Sequence, residues 1–418
     1  MKSLKNLITN WSWKEVIPKI EADSCILLNG PGDDYLLAWE AESTLKVNQN
    51  EFDFKILDAF LANNEGRYIF GYFGYDIKNK IEPQLKSQNE DLLKFPDCYL
   101  MVPKHVLISK NGKNEYFGEW SIEQLTNFFN SKKPTESLSF QEQNILLTHK
   151  TCKSNYLETF DKIKSEIQFG NIYEINYCIN FFAEQTAIHS FETYLKLCSN
   201  TDAPFSCYFH FEDYYALSAS PERYLKKTGN QLMSQPIKGT AARGATTLED
   251  EQQLVNLKHN PKEQAENVMI VDLVRNDLSK IASKNSVQVD ELFGVHTFKT
   301  VHQLISTVSC ELRKDVTFSD IIKATFPMGS MTGAPKIKAM ELSEKFENFK
   351  RGLYSGTIGY IQPNGDFDFN VVIRSILHNQ KEMVVSCSVG GAITINALPE
   401  QEFQECLLKL SALEKALC

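Results

Sequence analysis

None of the ten cysteines stands in a C-x-x-C pair; they are scattered from Cys25 to Cys418. That scatter argues against a disulfide framework or a zinc site and leaves reduced, mostly buried thiols. Long apolar runs are missing as well. Val268-Met-Ile-Val271 is among the longest aliphatic stretches, against the roughly 20 residues a membrane helix requires. The opening Met1–Trp13 holds no continuous apolar stretch of the kind a secretory signal needs. Nor is there a basic block: 44 Lys and Arg face 53 Asp and Glu, a formal net charge of -9. Such a balance speaks against nucleic acid as the main partner, and an anionic ligand would have to be met by cations gathered locally. The expectation is a soluble, cytoplasmic protein with no nucleic-acid partner and no membrane association.

At 418 residues, with 42% hydrophobic and 23% charged, the chain is ordinary globular material with enough apolar side chains for a large core. Ser24-Cys-Ile-Leu-Leu28 and Tyr35-Leu-Leu-Ala-Trp39 read as strands about the turn Asn29-Gly-Pro-Gly-Asp-Asp34. Arg67-Tyr-Ile-Phe-Gly-Tyr-Phe-Gly-Tyr75 reads as an aromatic strand whose glycines admit another backbone. Polar stretches at 84–91 and 130–142 read as surface loops, the second as a linker. Beyond residue 150, Tyr156, Phe160, Ile163 and Ile167 recur at helical spacing and stop before Gly170. Strand-like segments at 176–182, 205–211 and 214–218 precede a helix over 263–278. Further strands are read at 356–362, 367–376 and 382–389, before a closing helix. Strands and helices mixed without strict alternation predict an α+β fold with large, mostly antiparallel sheets flanked by helices. The expected division is a variable N-terminal region, 1–140, packed onto a larger region, 150–418, as one two-lobed body.

Four segments in the second half carry residues suited to chemistry. Glu222 in Ser220-Pro-Glu-Arg223 and Lys238 in Gln235-Pro-Ile-Lys-Gly-Thr240 lie sixteen positions apart, each beside a turn at a strand end. A lysine flanked by Ile237 and Gly239 is a nucleophile if desolvation lowers its pKa, and otherwise an ordinary surface lysine. On the long helix, Glu266 sits among Ala265, Val268, Met269 and Ile270, where a buried carboxylate needs a metal or a basic partner. Phe326-Pro-Met-Gly-Ser-Met-Thr-Gly-Ala-Pro-Lys336 fails as a phosphate loop, because only three residues separate Gly329 from Gly333. It reads as a turn into the next helix. Near the C-terminus, Ser388-Val-Gly-Gly-Ala392 follows a strand and Pro399 opens an amphipathic helix. Glu402, Glu405 and Lys409 share one face of that helix, an arrangement that suits metal binding or the helix dipole. Arg374, read as lying inside an apolar strand, requires a carboxylate from the protein or from a ligand. A lone histidine such as His302 is more often structural than catalytic.

Taken in order, Ser220-Pro-Glu-Arg, Pro236-Ile-Lys-Gly-Thr, Ala265-Glu-Asn-Val-Met-Ile-Val-Asp-Leu-Val-Arg-Asn-Asp277, Gly329-Ser-Met-Thr-Gly-Ala-Pro-Lys336, Val372-Ile-Arg-Ser375 and the closing glutamates resemble the chorismate-utilising enzymes. That family includes the anthranilate, aminodeoxychorismate, isochorismate and salicylate synthases. The resemblance covers about residues 150–418 and extends more weakly to Gly71-Tyr-Phe-Gly-Tyr-Asp-Ile-Lys-Asn79. Lys238, where anthranilate synthases typically carry alanine, and Ala265-Glu-Asn267 are similar to the aminodeoxychorismate-forming branch.

The resemblance implies the family's two-lobed fold and the amination of chorismate to 4-amino-4-deoxychorismate, on the way to p-aminobenzoate and folate. Ammonia would come from a separate glutaminase subunit, since nothing in the sequence resembles a glutaminase nucleophile elbow. It implies Mg2+ held by Glu266 and Glu405, with Glu402 orienting metal-bound water. Tyr354, Arg374, Lys409 and the amides of Gly390, Gly391 and Ala392 would grip substrate carboxylates, with Gly239 and Thr240 lining the ring and His302 at the substrate site. Lys238 would attack ring C2, its pKa lowered by desolvation and the metal, while Glu222 protonates the departing C4 hydroxyl. Two departures stand out. Glu174, in Tyr173-Glu-Ile-Asn176, occupies a place where the family often has glutamine and the isochorismate enzymes a water-activating lysine, which argues against isochorismate formation. Cys25-Ile-Leu-Leu-Asn-Gly30 replaces the Leu-Glu-Ser element with which feedback-inhibited anthranilate synthases bind tryptophan. The competing readings are an anthranilate-forming enzyme and a non-catalytic chorismate-binding subunit.

Overall fold

In the strand Ser24–Asn29, Ile26 faces one hydrophobic core while Cys25 and Leu27 face another. This is the period-two alternation that a pleated backbone imposes, and it puts a core on each side of the sheet. A computed structural model describes residues 2–7, 12–30, 32–48, 51–131, 145–201, 203–299 and 301–418. Most of the expected linker, 130–142, and Pro31 of the expected turn lie outside the described residues. Every strand pairing among the described residues is antiparallel. From Glu174–Ala183 the sheet runs through Val384–Thr394, Ser375–Asn379, Tyr214–Ser220, Phe205–Phe211, Ser24–Asn29 and Tyr35–Val47 to Cys98–Lys110. There it passes to Ile69–Phe73, Thr357–Ile361, Phe367–Asn370, Arg223–Thr228 and Gln231–Gln235. It ends at Val301–Glu311, flanked by Ile237–Ala242 and Gln288–Thr297. The fold is α+β with a large antiparallel sheet, as the sequence predicts, and strands from the first 110 residues are bonded into the same sheet as those of the C-terminal half.

One core is covered by the helices Lys153–Gln168, Ser190–Asn200 and Pro399–Leu417, which contribute Tyr156, Phe160, Tyr194, Leu197, Phe403 and Leu410. The stripe read at 156–167 is buried, and the helix stops where Gly170 takes φ 79° and donates its N–H to the Ile167 carbonyl at 2.9 Å. The other core receives Ile270, Val271, Val274 and Leu278 from the helix Pro261–Ser279. That helix starts where it does because the Asn260 side chain accepts from the amides of Lys262 and Glu263 with Pro261 just inside. All ten cysteines are unpaired, and no described helix is long and apolar enough to cross a membrane.

Two expectations are corrected. The segment 367–376 is not one strand: pairing stops after Asn370 and resumes at Ser375. In the gap, the Val371 and Val372 amides donate to the carbonyls of Glu222 and Gly356, and Arg374 takes φ 50°. A short apolar run buried on all sides looks like a strand whatever its backbone does. The second concerns Gly390 and Gly391, which do not follow a strand but lie inside Val384–Thr394.

At the meeting of these layers Arg351 is buried. It forms an ion pair with Glu347 at 2.6 Å, donates to the carbonyls of Asn176 and Met331 at 2.9 and 2.7 Å, and lies 4.6 Å from the Tyr75 ring centre. Glu347 in turn accepts the Cys178 amide at 3.0 Å. Removing one member of such a pair leaves the other charge buried and uncompensated. Arg351→Met should therefore destabilise the protein by about 3–5 kcal/mol in urea unfolding, and adding Glu347→Leu should recover much of the loss.

Candidate active site

The helix Pro261–Ser279 carries Glu263 and Glu266 one turn apart, and the helix Pro399–Leu417 carries Glu402, Glu405 and Lys409. Lys262 ties the two together, with Nζ 2.8 Å from Glu402 and 3.9 Å from Glu266. Between them lie the strands Ile237–Ala242, bearing Lys238, and Glu174–Ala183, whose first residue holds Lys238 Nζ at 2.9 Å. Gly239 follows at φ 94°, a backbone conformation that disfavours any other residue, and a Cβ there would press on Glu263 Oε2 at 3.1 Å. Thr240 beside it is exposed. A cavity of about 560 Å³ opens over Lys262 and Glu266, with Tyr173, Met269 and Ile395 at its walls.

Electrostatics separate the carboxylates. Glu222 is 4% exposed. Burial pushes its pKa to about 7 against the pull of Ser330, Lys238, the Ile237 amide and Arg374. Glu266 also rises to about 7, through burial and the neighbouring Glu174 and Glu263, with Lys238 and Lys262 opposing. Its buried Oε1 has no hydrogen-bond partner. Glu405 moves the other way: burial would raise it, but Lys409 at 2.8 Å, Lys238 and Lys262 outweigh that. For Lys238 the expected lowering is corrected. Burial does depress its ammonium, but Glu174, Glu266 and Glu405 outweigh burial and the net shift is upward.

Arg374, in its left-handed turn, is depressed by burial with Glu222 opposing, and its guanidinium makes no hydrogen bond or ion pair among the described residues. Lys409 Nζ donates to the Gly390 carbonyl at 2.8 Å. Gly390 faces Cys178, whose amide is committed to Glu347, so the Gly390 and Ala392 backbone groups point away from the strand Glu174–Ala183. By the same alternation Gly391 turns its N–H into that ladder. The expected trio of free amides is thus a pair. Tyr354 is 3% exposed with its hydroxyl 4.0 Å from Cys178 Sγ, beneath Gly390. His302 has both ring nitrogens engaged, by Thr297 and by Asp250, each at 2.9 Å. Lys336 is structural: it bonds Asp277 and the carbonyls of Thr325 and Pro327, fixing the glycine-rich turn that pairs Ala334 with Glu174.

Hard carboxylate oxygens raised by burial and then by one another, one of them buried without a hydrogen-bond partner, suit a divalent cation such as Mg2+. Among the described residues no three acidic, histidine or cysteine side chains are already gathered as a ligand set. Lys262 and Lys409 hold Glu402 and Glu405. Sequence reasoning singled out Glu263 on the long helix without giving it a role and passed over Lys262 and Ser330; nothing local marked Ser330 as the neighbour of Glu222.

Residues 23–415 match the family described as chorismate binding enzyme. The chain belongs to that family. The chain is 33% identical over 354 residues to aminodeoxychorismate synthase component 1 of Escherichia coli, covering 83% of this chain and 76% of that protein. A probable chloroplastic aminodeoxychorismate synthase of rice is 35% identical over 364 residues, 86% of this chain, which spans only 38% of the rice protein's length. The crystal structure of anthranilate synthase component I from Streptococcus pneumoniae superposes with a TM-score of 0.79 at 25% identity, covering 94% of this chain and 93% of that one.

A carboxyl with a folded pKa near 7 and an unfolded value near 4.5 keeps its proton longer in the folded state. The resulting stability is complete below the unfolded value and is lost as pH rises toward 7. The unfolding free energy of wild type relative to Glu222→Gln should therefore fall by on the order of 2–3 kcal/mol between pH 4.5 and pH 8. Urea titrations at several pH values check this; a flat difference would place Glu222 among ordinary exposed carboxyls.

Proposed function

We propose that the chain aminates chorismate to 4-amino-4-deoxychorismate, the first committed step toward p-aminobenzoate, using ammonia from a separate glutaminase subunit in the cytoplasm. The observation that carries the reading is Lys238, whose charge acts on a buried Glu222 carboxyl that burial pushes up to about 7. Relatives named aminodeoxychorismate synthase support it, and a name ending in component 1 supports a partner subunit.

Chorismate is a dicarboxylate, and the cations meet it locally. Arg374, Lys409 and the Gly390 and Ala392 amides bind its carboxylates. Thr240 borders the ring beside Gly239. Lys238 attacks C2 while Glu222 gives its proton to the C4 hydroxyl, which leaves as water. Ammonia then bonds to C4 as the C2–nitrogen bond breaks and frees the lysine. Glu266 and Glu405, with Glu402 behind, would hold Mg2+, which when bound offsets the charge of a substrate carboxylate. His302, committed to Asp250 and Thr297, steadies the strand behind Leu304 and Gly239.

Incubation with chorismate, Mg2+ and ammonium should yield 4-amino-4-deoxychorismate by mass, whereas anthranilate as the main product would move the chain to the other branch. Lys238→Ala should lose at least about 100-fold in that rate. Excess EDTA should stop turnover, and glutamine without a partner subunit should not replace ammonium.

A further inference from the structure

Lys238 cannot attack chorismate while it carries its proton, and its neighbours hold that proton on. The ammonium is held in an ion pair with Glu174. A group within hydrogen-bond reach must take the proton before the C2–nitrogen bond forms. Glu222 is spoken for, because its proton goes to the departing hydroxyl. Glu266 and Glu405 act on Lys238 through the field, and Glu405 is paired with Lys409. Glu174 remains. Its Oε1 lies 2.9 Å from Lys238 Nζ, it is 1% exposed, and its Oε2 is buried without any partner. Strand pairing on both sides, to Ala334 and to Thr394, fixes its backbone.

We propose that Glu174 is the catalytic base that removes the proton from Lys238, a role beyond the Lys238–Glu222 pair and resting on the covalent reading above. Glu174 places one oxygen on the Lys238 ammonium and keeps the other buried without a hydrogen-bond partner. When substrate excludes water, transfer of the proton from Nζ to Glu174 replaces a desolvated ion pair by a neutral amine and a neutral acid. The amine bonds to C2 and becomes a secondary ammonium, while the C4–oxygen bond breaks and Glu222 supplies the proton that makes water. Ammonia adds at C4 and the C2–nitrogen bond breaks, releasing neutral Lys238, which recovers its proton from Glu174. The C4 ammonium returns one proton to Glu222. The sum is chorismate plus ammonia giving aminodeoxychorismate plus water.

The test is rapid-quench mass measurement of the Lys238 adduct formed with saturating chorismate and Mg2+ in the absence of ammonia, for wild type, Glu174→Gln and Glu174→Asp, between pH 6.5 and 9. Lys238 is faced by Glu174, Glu266, Glu405 and Glu222, and Glu174 by Lys238 and Glu266. Adduct formation in Glu174→Gln should be slower by about 100-fold or more at pH 7 and climb with pH toward about tenfold per unit, because solvent must then take the proton. Glu174→Asp should recover most of the rate. If Glu174 merely held Lys238 protonated, Glu174→Gln would be as fast as wild type or faster, and that result overturns the proposal. So does an unchanged saturated rate accompanied only by weaker chorismate binding or a lower Tm. A wild-type enzyme that aminates chorismate yet shows no adduct instead removes the covalent reading itself, and this proposal with it.

Discussion

Burying a guanidinium obliges the backbone around it to supply acceptors, and Arg351 draws its acceptors from three parts of the chain. Asn176 belongs to the strand that begins at Glu174, Met331 to the glycine-rich turn, and Glu347 to the residues just after the helix Lys336–Phe346. Next door, Lys350 reaches Asp76, Asp91 and Asp97, while the Tyr75 amide donates to the Gly352 carbonyl. The N-terminal aromatic strand is thereby fastened to the segment that ends in Tyr354. The position of Glu174, of Ser330 and of the Cys178–Gly390 pairing all follow from this knot of charge-assisted bonds.

The site built on that frame is defined by an excess of carboxylates. Glu174, Glu263, Glu266, Glu402 and Glu405 face Lys238, Lys262 and Lys409. Ionising all the acids in a partly desolvated space is costly, and the shifts fall out accordingly: Glu222 and Glu266 upward, Lys238 and Lys262 upward, Arg374 downward. The cluster is suited to a divalent cation and a substrate anion together, since either one alone leaves the charge unbalanced.

Much of this was legible in the sequence. The buried face of Glu266, the stripe of the helix Lys153–Gln168 and the close approach at Gly71, where a Cβ would collide with the Tyr99 carbonyl, follow from periodicity and residue type. The break at 371–374 was not legible, because its residues are as apolar as those of a strand and the amides that bend it bond to residues 222 and 356. The status of Gly391 depended on which amides of a neighbouring strand were already taken, a fact set by Glu347 far away in sequence.

By itself the sequence determined the fold class, the unpaired cysteines and the family, because each rests on local pattern or on motifs in a fixed order. Only the tertiary structure decided the direction in which the Lys238 pKa moves. Desolvation and opposite charge pull a lysine in opposite directions, and which prevails depends on distance. Glu174 arrives at 2.9 Å from a strand 64 residues earlier in the chain, and no window of sequence contains both groups.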